Sequence, residues 1–104
     1  MNNLLKQAQK LQEDMEETQK WLESEEIEVS DSTGAFRVTI TASTQIKAVY
    51  VGEDLVLQGK EAIEAAGLEA FQKSIDAARK KHEEAMKKIT EGLNFQGLLG
   101  GEGG

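Results

Sequence analysis

Histidine and cysteine, two residues that often perform catalysis, are nearly absent from this sequence. Its 104 residues include one histidine, His82, and no cysteine. It contains no Gly-rich phosphate-binding loop and no G-x-S-x-G motif. Neighbouring acids such as Glu16-Glu17 and Glu25-Glu26 project in different directions, so they do not form a carboxylate pair for general acid–base chemistry. We therefore predict that the protein is not an enzyme and has no catalytic residue, cofactor, metal site or small-molecule substrate.

Basic side chains that could contact phosphate are grouped near the two ends of the chain. The formal net charge of −7 by itself disfavours nucleic acid and anionic membranes as partners. However, Arg79 to Lys88 holds five basic and two acidic residues, a local charge of +3. Lys6 and Lys10 are four residues apart and would share one face of a helix. These residues fit either a solvated face balanced by glutamates or a weak, salt-dependent contact with phosphates.

Two apolar seams with heptad spacing predict the helices that position these charges. The first seam comprises Leu4, Ala8, Leu11, Met15, Thr18 and Leu22, and the second comprises Leu68, Phe71, Ile75, Ala78, His82, Ala85 and Ile89. Steps of three and four residues keep each seam on one side of a helix. We predict helices over residues 2–24 and 60–91. Because no second histidine exists to join it, His82 fits a hydrogen-bonded seam residue better than a ligand or base.

Between the helices, alternating apolar residues predict three short strands at residues 26–31, 35–42 and 46–51. In the second strand, the side chains expected to face inward are Phe36, Val38, Ile40 and Ala42, and those expected to face outward are Arg37, Thr39 and Thr41. Short connections, one of them containing Gly34, imply an antiparallel meander. One helical turn is expected near residues 54–57, between the sheet and the second helix.

The chain has the length of one small domain. We place this domain at residues 1–91 and assign residues 92–104, which include six glycines, to a flexible tail. A protomer of this size buries little apolar surface, so we expect a homodimer. There is no apolar run of about eighteen residues and no signal peptide at the start of the sequence. We therefore expect a cytoplasmic protein that does not contact a membrane.

Four segments, in the same order, resemble the YbaB/EbfC family of bacterial nucleoid-associated proteins. Asn3 to Glu17 (NLLKQAQKLQEDMEE) resembles the opening of the family, and Gly34 to Thr41 (GAFRVTIT) resembles its second strand. Ala70 to Lys88 (AFQKSIDAARKKHEEAMKK) resembles its last helix, and Ile89 to Asn94 (ITEGLN) its closing segment. No single motif is specific, and the collinear set carries the resemblance. After the third strand, the sequence Gly52-Glu53-Asp54 departs from the family pattern because it lacks a proline.

The resemblance implies an α+β protomer of α-β-β-β-α order, with a three-stranded antiparallel meander and two long terminal helices. It also implies a homodimer whose helices project like tweezers and contact double-stranded DNA, located in the cytoplasm on the nucleoid. The DNA-contacting residues that we predict are Lys6, Gln7, Lys10, Arg79, Lys80, Lys81, Lys87 and Lys88. The dimer and core seam that we predict consists of Leu4, Leu11, Met15, Leu22, Phe36, Val38, Ile40, Phe71, Ile75 and Ile89.

We predict weak, salt-sensitive binding to double-stranded DNA with little sequence specificity, because no base-reading motif is present. The resulting role would be to organise the nucleoid or to modulate expression. The alternative is a protein-interaction and dimerisation module that acts through its heptad seams and does not bind DNA. A binding titration on duplex DNA at low and high salt separates the two.

Overall fold

The predicted order of helices and strands is confirmed. A computed structural model of the chain describes the backbone of residues 2–103 and the side chains of residues 3–91. The elements are α1 (Asn2–Ser24), β1 (Glu26–Ser30), β2 (Phe36–Thr41), β3 (Ile46–Val51), α2 (Glu53–Gln58) and α3 (Lys60–Gly103). The short helix α2 stands where the sequence predicts one helical turn. The protein is therefore α+β, with two long helices at its ends.

The three strands form an antiparallel meander in the order β1-β2-β3. Val38, in the central strand, pairs with Val29 of β1 and with Val49 of β3. A register shift between Thr39 and Ile40 separates the two halves of the β2–β3 ladder. The inward positions that the sequence predicts are confirmed, because Phe36, Val38, Ile40 and Ala42 are all buried.

The turn between β1 and β2 is organised by the carboxylate of Asp31. This carboxylate accepts hydrogen bonds from the Thr33 hydroxyl at 2.7 Å and from the Phe36 backbone N–H at 3.0 Å. The same two bonds, the one from Thr33 first, hold the pKa of Asp31 below its ordinary value. Gly34 adopts a φ of 79° in this turn, a conformation that glycine reaches without steric cost. The turn therefore has a fixed shape at the end of the sheet.

Helix α3 lies across β1 and β2 through a stripe of small residues. The buried positions on it are Ala66, Ala70, Ser74 and Ala78, four residues apart and so on one face. A Cβ atom added to Gly67 would lie 3.3 Å from the Phe36 ring, which shows how closely the helix backbone approaches the sheet. Phe71 packs edge-on against Phe36, with ring centroids 5.6 Å apart.

The heptad seam predicted on this helix is only partly covered within the protomer, so its role as a dimer or core seam stays a prediction. Leu68 is 73% exposed and Ile75 is 36% exposed, whereas the small residues of the neighbouring stripe are buried. Small side chains occupy the buried stripe because they allow the helix backbone to lie close to the sheet. Leu68 and Ile75 are therefore left on the surface of the protomer, whereas Ala78 of the same seam is buried and Phe71 packs on the core.

Helix α1 is joined to the rest of the protomer mainly at its C-terminal end. Leu22 is completely buried, as are Ile40 and Ala42 at the end of β2, but Leu4 and Met15 are exposed. The first seam is thus covered at its base and largely uncovered toward its tip.

Thr41 keeps the register of the outward face predicted for it, because it pairs with Glu26 two positions from the Glu28–Thr39 pair, but its side chain is completely buried. The Thr41 hydroxyl shares a hydrogen bond with the hydroxyl of Ser43 at 2.8 Å and accepts one from the backbone N–H of Gln45 at 3.1 Å. These bonds close the turn between β2 and β3, which explains why a polar side chain is buried at this position.

The molecule is elongated, with extents of 67 × 21 × 14 Å. Helix α3 accounts for this length, because it continues to Gly103, whereas its sequence predicts an end near residue 91. The domain boundary at residue 91 and the flexibility of the tail remain predictions. None of the helices that the structure describes is long and apolar enough to span a bilayer.

Candidate nucleic-acid interface

The basic cluster of α3 lies on the part of the helix that projects beyond the sheet. Ala78 is buried, and the cluster begins at the next residue. Arg79, Lys80, Lys87 and Lys88 are exposed, and Lys81 is half-buried. Five cationic side chains are therefore presented within about three helical turns.

The predicted contact residues of α1 are likewise exposed on a projecting helix. Lys6, Gln7 and Lys10 all lie on its solvent-exposed first half. Asp14 of α1 and Lys88 of α3 line the same groove. Lys10 and Lys6 therefore lie one and two turns nearer the start of α1 than the level of Lys88. The basic residues of α1 therefore lie farther along the helix pair than the cluster of α3, and the two sets do not form one compact patch.

Heptad spacing divides the lysines of α3 into two rows. Lys80 and Lys87 form an outer row, and Lys87 makes an exposed ion pair with Glu91 at 3.8 Å. Lys81 and Lys88 form an inner row, which borders the groove between α1 and α3. The two rows therefore differ in their surroundings although their residues are adjacent in sequence.

Lys73 belongs to the outer row by spacing but was absent from the predicted contacts. It stands seven residues before Lys80, so the signal that could have found it is the same heptad period. Its ammonium group contacts the Glu69 carboxylate at 2.6 Å, and that carboxylate also accepts a hydrogen bond from the Ser32 hydroxyl at 2.5 Å. The bonds from Lys73 and Ser32 lower the pKa of Glu69 to about 2. Lys73 thus pairs with the Glu69 carboxylate, which in turn connects α3 to the β1–β2 turn.

An open groove of about 680 Å³ separates α1 from α3. Its apolar wall includes Trp21 and Ile89. The charged residues that line it are Asp14, Glu17, Lys81, Glu84 and Lys88. At the base of the groove, the Lys81 ammonium group lies 3.8 Å from the Glu25 carboxylate. Both signs of charge therefore face each other across this groove.

The chemistry available at these surfaces is electrostatic contact. Lysine and arginine side chains on a projecting helix can contact the anionic phosphates of a duplex. Within the described part of the chain, no group of three or more histidine, cysteine or acidic side chains is arranged to hold a metal ion. The projecting helices are consequently the surface on which a polyanion could be bound.

Comparisons with known proteins agree with this architecture and extend it. The sequence model of the YbaB/EbfC DNA-binding family matches residues 1–93. A nucleoid-associated protein of Alkaliphilus metalliredigens is 32% identical over 100 residues, which cover 95% of this chain and 88% of that protein. A nucleoid-associated protein of Ruminiclostridium cellulolyticum is 38% identical over 94 residues, covering 89% and 82% of the two chains.

Among solved structures, the uncharacterized protein HP0035 from Helicobacter pylori has a similar fold. The TM-score is 0.76, and the superposition covers 86% of this chain and 96% of that one. Sequence identity over this match is 11%, so the likeness concerns the fold alone.

Proposed function

The chain belongs to the YbaB/EbfC DNA-binding family, and from that membership we propose that it is a homodimeric nucleoid-associated protein. It binds double-stranded DNA weakly and with little sequence specificity, through the projecting parts of α1 and α3. Its place is in the cytoplasm, on the nucleoid, where it organises DNA or modulates expression. The observation that carries this proposal is the exposed basic cluster beyond Ala78 in a chain that the family matches almost throughout.

The charges of the molecule support weak rather than tight binding. Its net charge is −7, so a duplex repels the protein as a whole and attracts only its basic surfaces. Each phosphate neutralised by lysine or arginine contributes about −0.9 to the slope of log affinity against log salt concentration. A few such contacts are readily lost when salt is raised.

The low sequence specificity follows from the kind of side chain presented. The candidate contacts are long cations and one amide, Gln7, on the surfaces of the helices. Contacts of lysine with phosphate fix the position of a protein on DNA but carry no sequence information. Any preference would therefore come from the shape or deformability of the duplex.

Uncovered apolar surface supports the homodimer. Val49 and Ile46 pair with the inward-facing Val38 and Ile40, yet they remain 47% and 48% exposed. Helix α3 crosses β1 and β2 and leaves this part of the sheet open. Leu68 on α3 is exposed as well. Exposed apolar patches of this kind are typical of protein interfaces, and a second copy offers the same patch.

The second candidate function is a protein-interaction module that does not bind DNA. The observation that favours it is the uncovered first seam, where Leu4 and Met15 are exposed on a helix with more acidic than basic residues. A partner helix could cover that seam.

A salt titration on duplex DNA tests the proposal. The parent protein should shift a random-sequence duplex of about 30 base pairs at low salt and release it as salt increases. Replacing the lysines of the α3 cluster by glutamine should weaken binding evenly across sequences and flatten the salt slope; these are Lys80, Lys81, Lys87 and Lys88.

A matched control removes the same charge elsewhere, with glutamine at Lys20, Lys47, Lys60 and the exposed Arg37. The control should lose less affinity than the cluster variant. Equal losses would mean that only net charge matters. No binding by the parent at low salt would favour the interaction module instead.

A further inference from the structure

The basic residues of α3 do not all stand in the same electrostatic environment. Lys80 and Lys87 are exposed on the outer row. Lys81 is half-buried, with its side chain 40% exposed and its ammonium group 3.8 Å from the Glu25 carboxylate. Lys88 is exposed but lines the groove between α1 and α3. The inner row therefore borders the groove and α1, whereas the outer row faces solvent, where Lys87 pairs with Glu91 of its own helix at 3.8 Å.

The wall opposite the inner row carries carboxylates. Asp14 and Glu17 of α1 line the groove and, being three residues apart, lie on one face of that helix. Glu25 follows the end of α1 and contacts Lys81 at the base. Glu84 of α3 lines the groove between the two inner lysines. Lys81 thus has a carboxylate partner in the same molecule, and Lys88 shares the groove with Asp14 and Glu17.

We propose that Asp14, Glu17 and Glu25 act as an internal competitor of DNA phosphate for Lys81 and Lys88. This inference rests on the proposed function and adds a regulatory contact to it. Carboxylate and phosphate oxygens accept the same charge-assisted hydrogen bonds from a lysine ammonium group. While the carboxylates hold the inner row, only the outer row and the start of α1 contact a duplex.

The carboxylates hold the inner lysines only weakly, because the groove is open to water. Ion pairs that remain partly exposed are weak and are screened by salt. A duplex has a high density of phosphates, so it can displace these carboxylates at some cost in affinity. The inner lysines therefore contribute less to DNA binding than their number suggests, and removing the opposing acids should release them.

The first test compares two double variants of α1 that change net charge equally. Asp14→Asn with Glu17→Gln removes the carboxylates of the groove wall. Glu13→Gln with Glu16→Gln removes two exposed acids one residue away, outside the groove. Fluorescence anisotropy on a random-sequence duplex should show the groove variant binding roughly three- to tenfold more tightly than the control variant. Its salt slope should be steeper by about 0.9 for each lysine released.

The second test removes the lysines themselves. In the parent, Lys81→Gln with Lys88→Gln should weaken binding less than Lys80→Gln with Lys87→Gln. In the groove variant, the same inner-row change should cancel the gain in affinity and the added slope. Circular dichroism and light scattering on every variant establish that fold and assembly are retained.

The outcomes separate this inference from the function on which it rests. Equal affinity gains in the two α1 variants would overturn the internal competition, because net charge alone would explain them. An equal loss from the two lysine pairs in the parent would overturn it too, while leaving DNA binding intact. Failure of the parent and all variants to bind duplex at low salt would overturn both the competition and the proposed function.

Discussion

At the scale of single residues, polar side chains hold the sheet to the helix that crosses it. Ser32 stands in the turn after β1, Glu69 stands on α3, and Lys73 stands one turn further along α3. The Glu69 carboxylate accepts hydrogen bonds from both neighbours. Charge-assisted bonds of this kind favour the ionised carboxylate. Glu69 thereby connects a loop to a helix that is distant in sequence.

The lowered pKa of Glu69 gives this contact a defined pH dependence. Its pKa falls from 4.5 to about 2 on folding, so its contribution to stability is fully present above about pH 4.5. That contribution is lost as pH falls through about 2. Thermal unfolding of Glu69→Gln should show a lower Tm than the parent at pH 7, with a gap that narrows from pH 4.5 toward pH 2.

The control for this prediction is Glu64→Gln. Glu64 makes an exposed ion pair at 3.8 Å with Lys60, a residue of the same helix. Its Tm gap from the parent should be smaller at pH 7. If the gap for Glu69→Gln were the same at every pH, the ionised carboxylate would not be the source of stability.

At the scale of elements, α3 carries both an apolar heptad seam and a stripe of small residues. The sequence does not reveal which of the two contacts the sheet. The helix itself, the meander and the inward face of β2 follow from apolar spacing, which is why they are predictable. The heptad seam containing Leu68 and Ile75 is the more hydrophobic stripe, yet the sheet is contacted by Ala70 and Ser74. Hydrophobic spacing does not reveal how closely a helix must approach its neighbour, because that distance depends on tertiary packing.

The basic cluster of α3 is likewise only partly predictable from the sequence. Its presence on one helix is readable from Arg79 to Lys88, but its division into two rows depends on where α1 lies. Three of the acids that border the inner row, Asp14, Glu17 and Glu25, lie more than 50 positions earlier in the chain than the lysines. Only the tertiary structure brings Glu25 to Lys81. Thr41 is a similar case, because turn hydrogen bonds rather than strand alternation decide its burial.

Close packing of α3 can be tested by enlarging one of its small residues. Ala70→Leu should destabilise the fold by about 1–3 kcal/mol, because the added atoms meet a filled interface with the sheet. Ala65→Leu places the same side chain on an exposed position of the same helix and should change stability little. Denaturant unfolding of both variants measures the difference. Equal stability of the two would mean that α3 does not rest on the sheet through this stripe.

At the scale of the whole molecule, the protomer is a long and thin body with uncovered apolar surface. Part of the inner face of β3 and part of the seam of each long helix are uncovered, as the exposed Val49, Leu4 and Leu68 show. A monomer would expose these surfaces to water, which is unfavourable. Assembly of two copies is the arrangement that covers them without another partner.

The dimer can be tested by placing a charge on one face of β3 at a time. Light scattering should give the parent about twice the 11.4 kDa mass of the chain. Val49→Glu, on the inner face, should shift the protein toward the monomer. Ala48→Glu, on the outer face of the same strand, should leave the mass unchanged. A monomeric parent, or the same response from both variants, would contradict an interface on the inner face of β3.

The division between sheet and projecting helices also gives the molecule an electric dipole moment along its length. Residues 25–78 contain ten acidic and four basic residues, whereas residues 1–24 and 79–91 together contain eight of each sign. The excess negative charge is therefore concentrated at the sheet end. When the molecule approaches a polyanion, the field of the polyanion rotates it so that the projecting helices point toward the polyanion. The charge that limits affinity would thus orient each encounter before any side chain touches a phosphate.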